Sequence, residues 1–283
     1  MKISEIIKNN KRTLSFEVFP PKTEDKYDTV ETAVTEIAKL SPDFMSVTYG
    51  AGGGTSKFTA IIANLIKQNG VTPLAHLSCV SSTKQMVKDQ LEVLKATGIE
   101  NILALRGDIP EDEALRKNDY KYASELVCEI KKYGDFCIGG ACYPEGHPES
   151  STLDIDVENL KNKVDCGCDF LTTQMFFENE KYYDFVNRVR SIGINIPIIA
   201  GIMPVTNAQK IERMLALSKT ELSPELKGYI EKYYDNPDDM KKAGVEYAIK
   251  QCEDLYANGA RAIHIYSMNK TDVALAIKTA LGK

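Results

Sequence analysis

The sequence predicts an α/β fold: a (β/α)8 TIM barrel with an extra helical insertion before strand 8. Three observations point there. Eight short β-rich apolar runs alternate with longer helix-patterned segments. Several of those runs lack polar alternation, as parallel strands buried on both faces do. Strand starts fall mostly ~27–35 residues apart, enough for one βαβ unit each, and the 283 residues suit a barrel of ~250. A doubly wound open sheet is the alternative.

In chain order, strand 13–19 (TLSFEVF) precedes a helix at 26–40, and strand 43–49 (DFMSVTY) precedes one at 56–69. Strand 73–79 (PLAHLSC) leads to helix 83–97, and strand 101–106 (NILALR) to helix 120–132. Strand 136–142 leads to helix 156–166, and strand 169–174 (DFLTTQ) to helix 179–192. Strand 196–201 (IPIIAG) is followed by helices at 207–218 and 239–258, then strand 260–266 (ARAIHIY) and helix 271–281. The long gap before the last strand carries the extra helix, near 223–235, ahead of Pro237. Gly70, Gly98, Gly134, Gly167, Gly193 and Gly259 each follow a helix pattern, as a left-handed C-cap would. No Pro-rich or Gly/Ser linker divides the chain, so residues 1–283 read as a single β/α-barrel catalytic domain.

Thirty-five Lys and Arg face forty Asp and Glu, a net charge of −5 that does not favour nucleic acid as a partner. No apolar run approaches the ~20 residues of a membrane helix, and the start lacks a secretory pattern, so a cytoplasmic location is expected. The seven cysteines read as reduced thiols. Cys166-Gly167-Cys168 is not a C-x-x-C pair and has no histidine at zinc-finger spacing, so no metal site is assigned.

A barrel places its active site at the C-terminal strand ends. There the sequence offers Glu17, Thr48, Tyr49, His76, Arg106-Gly107-Asp108, the Tyr143–Glu149 run, Gln174, and Tyr266 with Asn269 and Lys270. Each has a plain structural alternative. Glu17 suits an edge position or a structural ion pair as well as an enclosed general acid of raised pKa. His76 suits a hydrogen-bonded core position, and Gly52-Gly53-Gly54 either a phosphate-approaching loop or a simple turn. Taken alone, these residues describe a barrel enzyme with an acid, a cation and a large polar ligand. A metal- or Schiff-base lyase would need an interior strand lysine or a histidine/carboxylate cluster, which the strands lack.

Specific motifs narrow this. Residues 15–23 (SFEVFPPKT), 46–51 (SVTYGA), 104–108 (ALRGD), 143–149 (YPEGHPE), 160–165 (LKNKVD), 174–177 (QMFF) and 201–205 (GIMPV) closely resemble, in order, the motifs of methylenetetrahydrofolate reductases. They span nearly the whole chain and resemble the prokaryotic, single-domain form. The resemblance implies a flavoprotein, usually with FAD, that reduces 5,10-methylenetetrahydrofolate to 5-methyltetrahydrofolate. Hydride passes from NADH or NADPH to the flavin, and in a second half-reaction to the folate. It also implies a homo-oligomer, with partner subunits and another electron donor as the alternative seen in some relatives.

By the same resemblance, Glu17 is the general acid that opens the folate ring, and Asp108 is the carboxylate that binds the pterin beside the flavin. Thr48, His76, Leu105, Arg106, Gly107, Asp108, Ala123, Tyr143, His147, Ser150, Asp156, Asn159 and Lys163 match flavin-lining positions, Arg106 and Lys163 suiting the phosphates. Gln174 matches a folate-contacting amide, with Lys210 and Lys270 also on the substrate side. Four positions depart from the family pattern. Asn162 stands for a frequent arginine, and Lys210 for a glutamine, which a one-residue slip would place at Gln209. Met214 stands for a phenylalanine, and Lys270 for an arginine, where a lysine attracts carboxylates without a bidentate fork.

Overall fold

The computed structural model describes residues 1–50, 56–109, 117 and 119–282. The Gly52-Gly53-Gly54 run lies outside them. Eight parallel strands form a closed barrel: β1 (Thr13–Val18), β2 (Phe44–Val47), β3 (Pro73–Ser78), β4 (Asn101–Leu105), β5 (Cys137–Cys142), β6 (Phe170–Thr173), β7 (Ile198–Ile202) and β8 (Ala262–Ile265). β8 closes onto β1, with Thr13 opposite Ala262 and Phe16 opposite Ile265. The barrel is the predicted one, and every strand ends within two residues of its expected limit. Because the strands stop early, Thr48, Arg106, Gln174 and Tyr266 lie just past the ladders, at the mouth.

The helices are α1 (Ile3–Asn9), α2 (Tyr27–Lys39), α3 (Ser56–Gln68), α4 (Lys84–Ala96), α5 (Ala123–Tyr133), α6 (Leu153–Asp165), α7 (Asn179–Ser191), α8 (Ala208–Ser218), α9 (Pro224–Lys232), α10 (Pro237–Ala257) and α11 (Thr271–Ala280). Thr83, Thr152, Asn207, Ser223 and Asn236 cap helix starts, each side chain accepting from an amide of the first turn. Five of the six expected glycine stops have positive φ; Gly134 instead leaves α5 extended, at φ −178°.

α1 was not expected. Its seven residues are too few for an isolated helix, and burial supplies its stability. Ile3, Ile6 and Ile7 close the N-terminal end of the barrel against Phe44, Leu74, Leu103, Phe170 and Ile199. Asn101 holds the plug in place: Oδ1 accepts from Ile3 N at 2.9 Å, and Nδ2 donates to Met1 O and Pro73 O. The interior is therefore apolar below. Above that layer the same inward faces turn polar, with Ser15, Glu17, Ser46, His76, Thr172 and His264 all buried.

The β7–β8 connection carries α8, α9 and α10, as the long gap implied. Leu226, Met240 and Tyr247 pack with Met175, Phe177 and Val205 in a separate apolar cluster beside the mouth. Gly244 of α10 lies so close to the Val205 backbone that a Cβ there would collide with its carbonyl. Among the described residues no helix is long and apolar enough to cross a membrane.

The expectation of seven reduced cysteines needs correction. Cys128 of α5 and Cys166, the C-cap of α6, form a disulfide with Cα atoms 4.9 Å apart. The two helices pack side by side around β5, which brings together cysteines 38 positions apart. Cys79, Cys137, Cys142, Cys168 and Cys252 are free and buried.

Candidate active site

Glu17 closes the inward face of β1, with 7% of its surface exposed. Its Oε2 lies 3.6 Å from Nε2 of His76 on β3 and 3.9 Å from Nε2 of His264 on β8. Burial lowers His76 from 6.5 to about 4, outweighing the upward pull of Glu17. His76 is thus neutral at pH 7, and its Nε2 has no hydrogen-bond partner among the described residues.

His264 is the residue that sequence reading missed. Its ring stacks on Phe44, with centroids 5.7 Å apart. Ser15 Oγ lies 2.7 Å from Nδ1 and also donates to Ile263 O at 3.2 Å. With its proton committed there, Ser15 accepts from Nδ1–H, which makes Nε2 the acceptor. Ser46 Oγ then donates to Nε2 at 3.0 Å, while it sits 3.5 Å from Glu17 Oε2. A Glu17–Ser46–His264–Ser15 chain runs down the barrel interior. The visible signal was the AIHIY alternation, which puts His264 and Tyr266 on one face.

A second group lies around the exits of β4 and β5. Arg106 leaves β4 and forms a fork with Glu149: Nη1 donates to Oε2 at 2.6 Å and Nη2 to Oε1 at 2.7 Å. That contact raises the guanidinium pKa further and lowers that of Glu149. Sequence reading assigned Arg106 to phosphates and gave Glu149 no role. Gly107 follows at φ +84°, where a Cβ would stand 3.2 Å from Ser78 Cβ, and Asp108 is exposed beyond it. Tyr143 meets His147 edge-on, with centroids 4.7 Å apart, and burial pushes its phenol up to about 12. Ser150 Oγ donates to Asp156 Oδ1 at 2.9 Å. Asp156, Asn159 and Lys163 share one face of α6; Asn159 is exposed, whereas Lys163 turns inward and donates to Ala141 O. Burial lowers the Lys163 pKa. Ala123 opens α5, half-buried. Thr48 follows β2, and its carbonyl accepts from Thr59 Oγ1 at 3.0 Å. Leu105 ends β4, half-buried.

The third group spans the β6–β8 exits. Gln174 Oε1 accepts from Met175 N at 2.9 Å, and Tyr266 Oη donates to Thr173 O at 2.6 Å. Lys270 donates to Thr206 Oγ1, and Lys210 lies in the first turn of α8. Asn269 clips the end of β1, exchanging two hydrogen bonds with the Phe19 backbone.

The donors suit a planar anionic cofactor with a sugar-phosphate tail. Two cations stand on this side of the mouth, Arg106 held by Glu149 and Lys163 by Ala141 O. Thr172 Oγ1, buried on the inward face of β6, has no hydrogen-bond partner among the described residues.

The sequence matches the family model for methylenetetrahydrofolate reductase over residues 2–282. The chain belongs to the methylenetetrahydrofolate reductase family. It is 36% identical to methylenetetrahydrofolate reductase (NADH) 1 of Arabidopsis thaliana, covering 99% of this chain and 50% of that one. It is 33% identical to the 5,10-methylenetetrahydrofolate reductase of Escherichia coli (strain K12), covering 95% and 90% respectively. The chain thus spans about half the length of its plant relatives and most of the bacterial one. The fold is shared with a Clostridium thermocellum protein that binds two copies of 5-methyl-5,6,7,8-tetrahydrofolic acid. The TM-score is 0.72 at 15% identity over the full length of both chains. Family membership fits the barrel, with Glu17 at its centre.

Proposed function

We propose that this chain, as one catalytic barrel, reduces 5,10-methylenetetrahydrofolate to 5-methyltetrahydrofolate. FAD is the resident cofactor, NADH or NADPH the donor, and the two half-reactions alternate at one site. The observation that carries the reading is Glu17, enclosed beside neutral His76 and backed by Ser46 and His264.

FAD would supply the two-electron relay between nicotinamide and folate. Arg106 and Lys163 hold its diphosphate as charge-assisted donors. Thr48, His76, Leu105, Gly107, Ala123, Tyr143, His147, Ser150, Asp156 and Asn159 line it. Glu17 delivers the proton that opens the five-membered ring of the substrate, and Ser46 and His264 orient its carboxyl. Asp108 binds the pterin and favours the cationic iminium by Coulomb attraction. Gln174 holds the folate, and Lys210 and Lys270 attract its carboxylates. The enzyme acts in the cytoplasm as a homo-oligomer.

An anaerobic absorbance titration of the FAD-supplemented protein tests this. Bleaching by NADH, then recovery of the oxidised spectrum on adding methylenetetrahydrofolate, is the expected result. Failure to bind flavin would overturn the cofactor assignment. Bound flavin that neither nicotinamide bleaches would replace the donor with a partner subunit.

A further inference from the structure

A groove of about 390 Å³ separates α5 from α6 on the outer wall of the barrel, lined by Cys128, Lys131, Lys132, Asn162, Asp165 and Cys166. Both disulfide cysteines are half-buried there, whereas the five free cysteines are buried. The disulfide is thus the sulfur group that a dissolved reagent can reach. The charges around it are unequal. Lys131 and Lys132 are exposed, and neither has a carboxylate within ion-pair distance among the described residues. Asp165 is taken by Lys161, whose Nζ donates to Oδ2 at 2.5 Å. Lys131 also reaches across to the end of α6: a Cβ on Gly167 would stand 3.0 Å from its Cδ.

The two sulfurs differ as leaving groups. Lys131 and Lys132 follow Cys128 by one helical turn, on its own face of α5. A thiolate released at Cys128 is stabilised by both ammonium groups. A thiolate released at Cys166 sits at the C-cap of α6 beside Asp165, where the helix dipole and the carboxylate both oppose negative charge. The more stable thiolate leaves faster, so attack falls on Cys166 Sγ. Cys168 does not compete from within: it is buried, and burial pushes its thiol up to about 11.

We propose that the Cys128–Cys166 disulfide is a thiol-exchange site whose reagent is a small thiol bearing carboxylates, drawn in by Lys131 and Lys132. The incoming thiolate attacks Cys166 Sγ and forms a mixed disulfide there. The original S–S bond breaks, and its electron pair stays on Cys128 Sγ. A second small thiolate attacks the small-thiol sulfur of the mixed disulfide and releases Cys166 as a thiolate. The protein disulfide has gained two electrons, and two small thiols have become their own disulfide; their two protons go to the protein thiolates. The surrounding thiol pool thereby sets whether α5 and α6 are tied.

The test is exchange of the full-length, FAD-supplemented protein with glutathione, which carries two carboxylates, with neutral β-mercaptoethanol and with cationic cysteamine. Acid quenching, alkylation and peptide mass analysis locate the added thiol. Each rate is divided by the same thiol's rate on hydroxyethyl disulfide, which removes intrinsic nucleophilicity. At low salt glutathione should exceed β-mercaptoethanol by about fivefold, the scale of two exposed charge contacts, and cysteamine should be slowest. High salt should shrink the difference. In the double variant Lys131→Ala/Lys132→Ala the three normalised rates should converge. The adduct should sit on Cys166. Equal normalised rates in the wild type, a glutathione preference that survives in the double variant, or an adduct on Cys128 would each overturn the site. So would a protein that shows seven free thiols before any thiol is added.

Discussion

Glu17 Oε2 and His76 Nε2 lie 3.6 Å apart on the barrel interior, yet they are not an ion pair at neutral pH. Burial holds His76 at about 4, well below its usual 6.5. In the unfolded chain that imidazole takes up a proton as pH falls through 6.5, while the folded one does not until about 4. The unfolded state therefore binds more protons across this window, and stability drops as pH falls. A shift of this size is worth roughly 3 kcal/mol at the acid end. His76→Gln, which cannot titrate, should show a flatter decline between pH 6.5 and 4 in urea unfolding. Identical slopes in the two proteins would show that another group drives acid unfolding.

Glu17→Gln keeps the shape of the side chain but has no acidic proton to give. Bleaching of the flavin by nicotinamide should persist. Reoxidation by methylenetetrahydrofolate should slow by at least about 100-fold, the low end for a lost general acid. Equal loss in both half-reactions would remove Glu17 from the proton role.

Ser46→Ala removes the hydroxyl between Glu17 and His264 and leaves His264 Nε2 without its donor. Stability should fall by about 1–3 kcal/mol, and the folate half-reaction by about tenfold. The double variant Glu17→Gln/Ser46→Ala should be no slower than Glu17→Gln alone, because residues acting as a unit are not additive. Additive losses, measured by stopped flow, would mean that Ser46 acts independently.

Part of this architecture is displayed by the sequence and part is concealed. The eight strands were legible because their apolar runs are bounded by glycine and capping residues, and Glu17 stood out as a carboxylate in such a run. His264 was hidden in plain view. Its place behind Glu17 follows only from closure of β8 onto β1, which sets His264 opposite Ser15. The fork between Arg106 and Glu149 depends on the path of the β5–α6 loop, which no local pattern reports. α1 was invisible because its stability comes from the barrel floor and not from its own seven residues.

Arg106→Lys tests the fork. Lysine keeps the charge but cannot make two parallel bonds. Because Glu149 is more than half exposed, the pair contributes little to folding, and the variant should lose less than about 1 kcal/mol. FAD affinity, by fluorescence titration, should weaken about tenfold or more, since an ammonium cannot offer a phosphate the two parallel bonds of a guanidinium. Unchanged FAD affinity would show that Arg106 serves Glu149 alone.

The disulfide makes a different kind of prediction, one that needs no ligand. Thiol titration of the denatured protein should find five free cysteines without reductant and seven after reduction. Because Cys128 and Cys166 enclose a separation of 38 residues, the link restricts the unfolded chain, and removing it should cost up to about 4 kcal/mol on chain-entropy grounds. Cys128→Ser should therefore lower the thermal midpoint in non-reducing buffer and lose most of its deficit relative to wild type once both are reduced. α5 and α6 pack side by side whether or not the sulfurs are joined, so FAD affinity should change by less than about twofold on reduction. A count of seven thiols without reductant would restore the reduced reading of every cysteine.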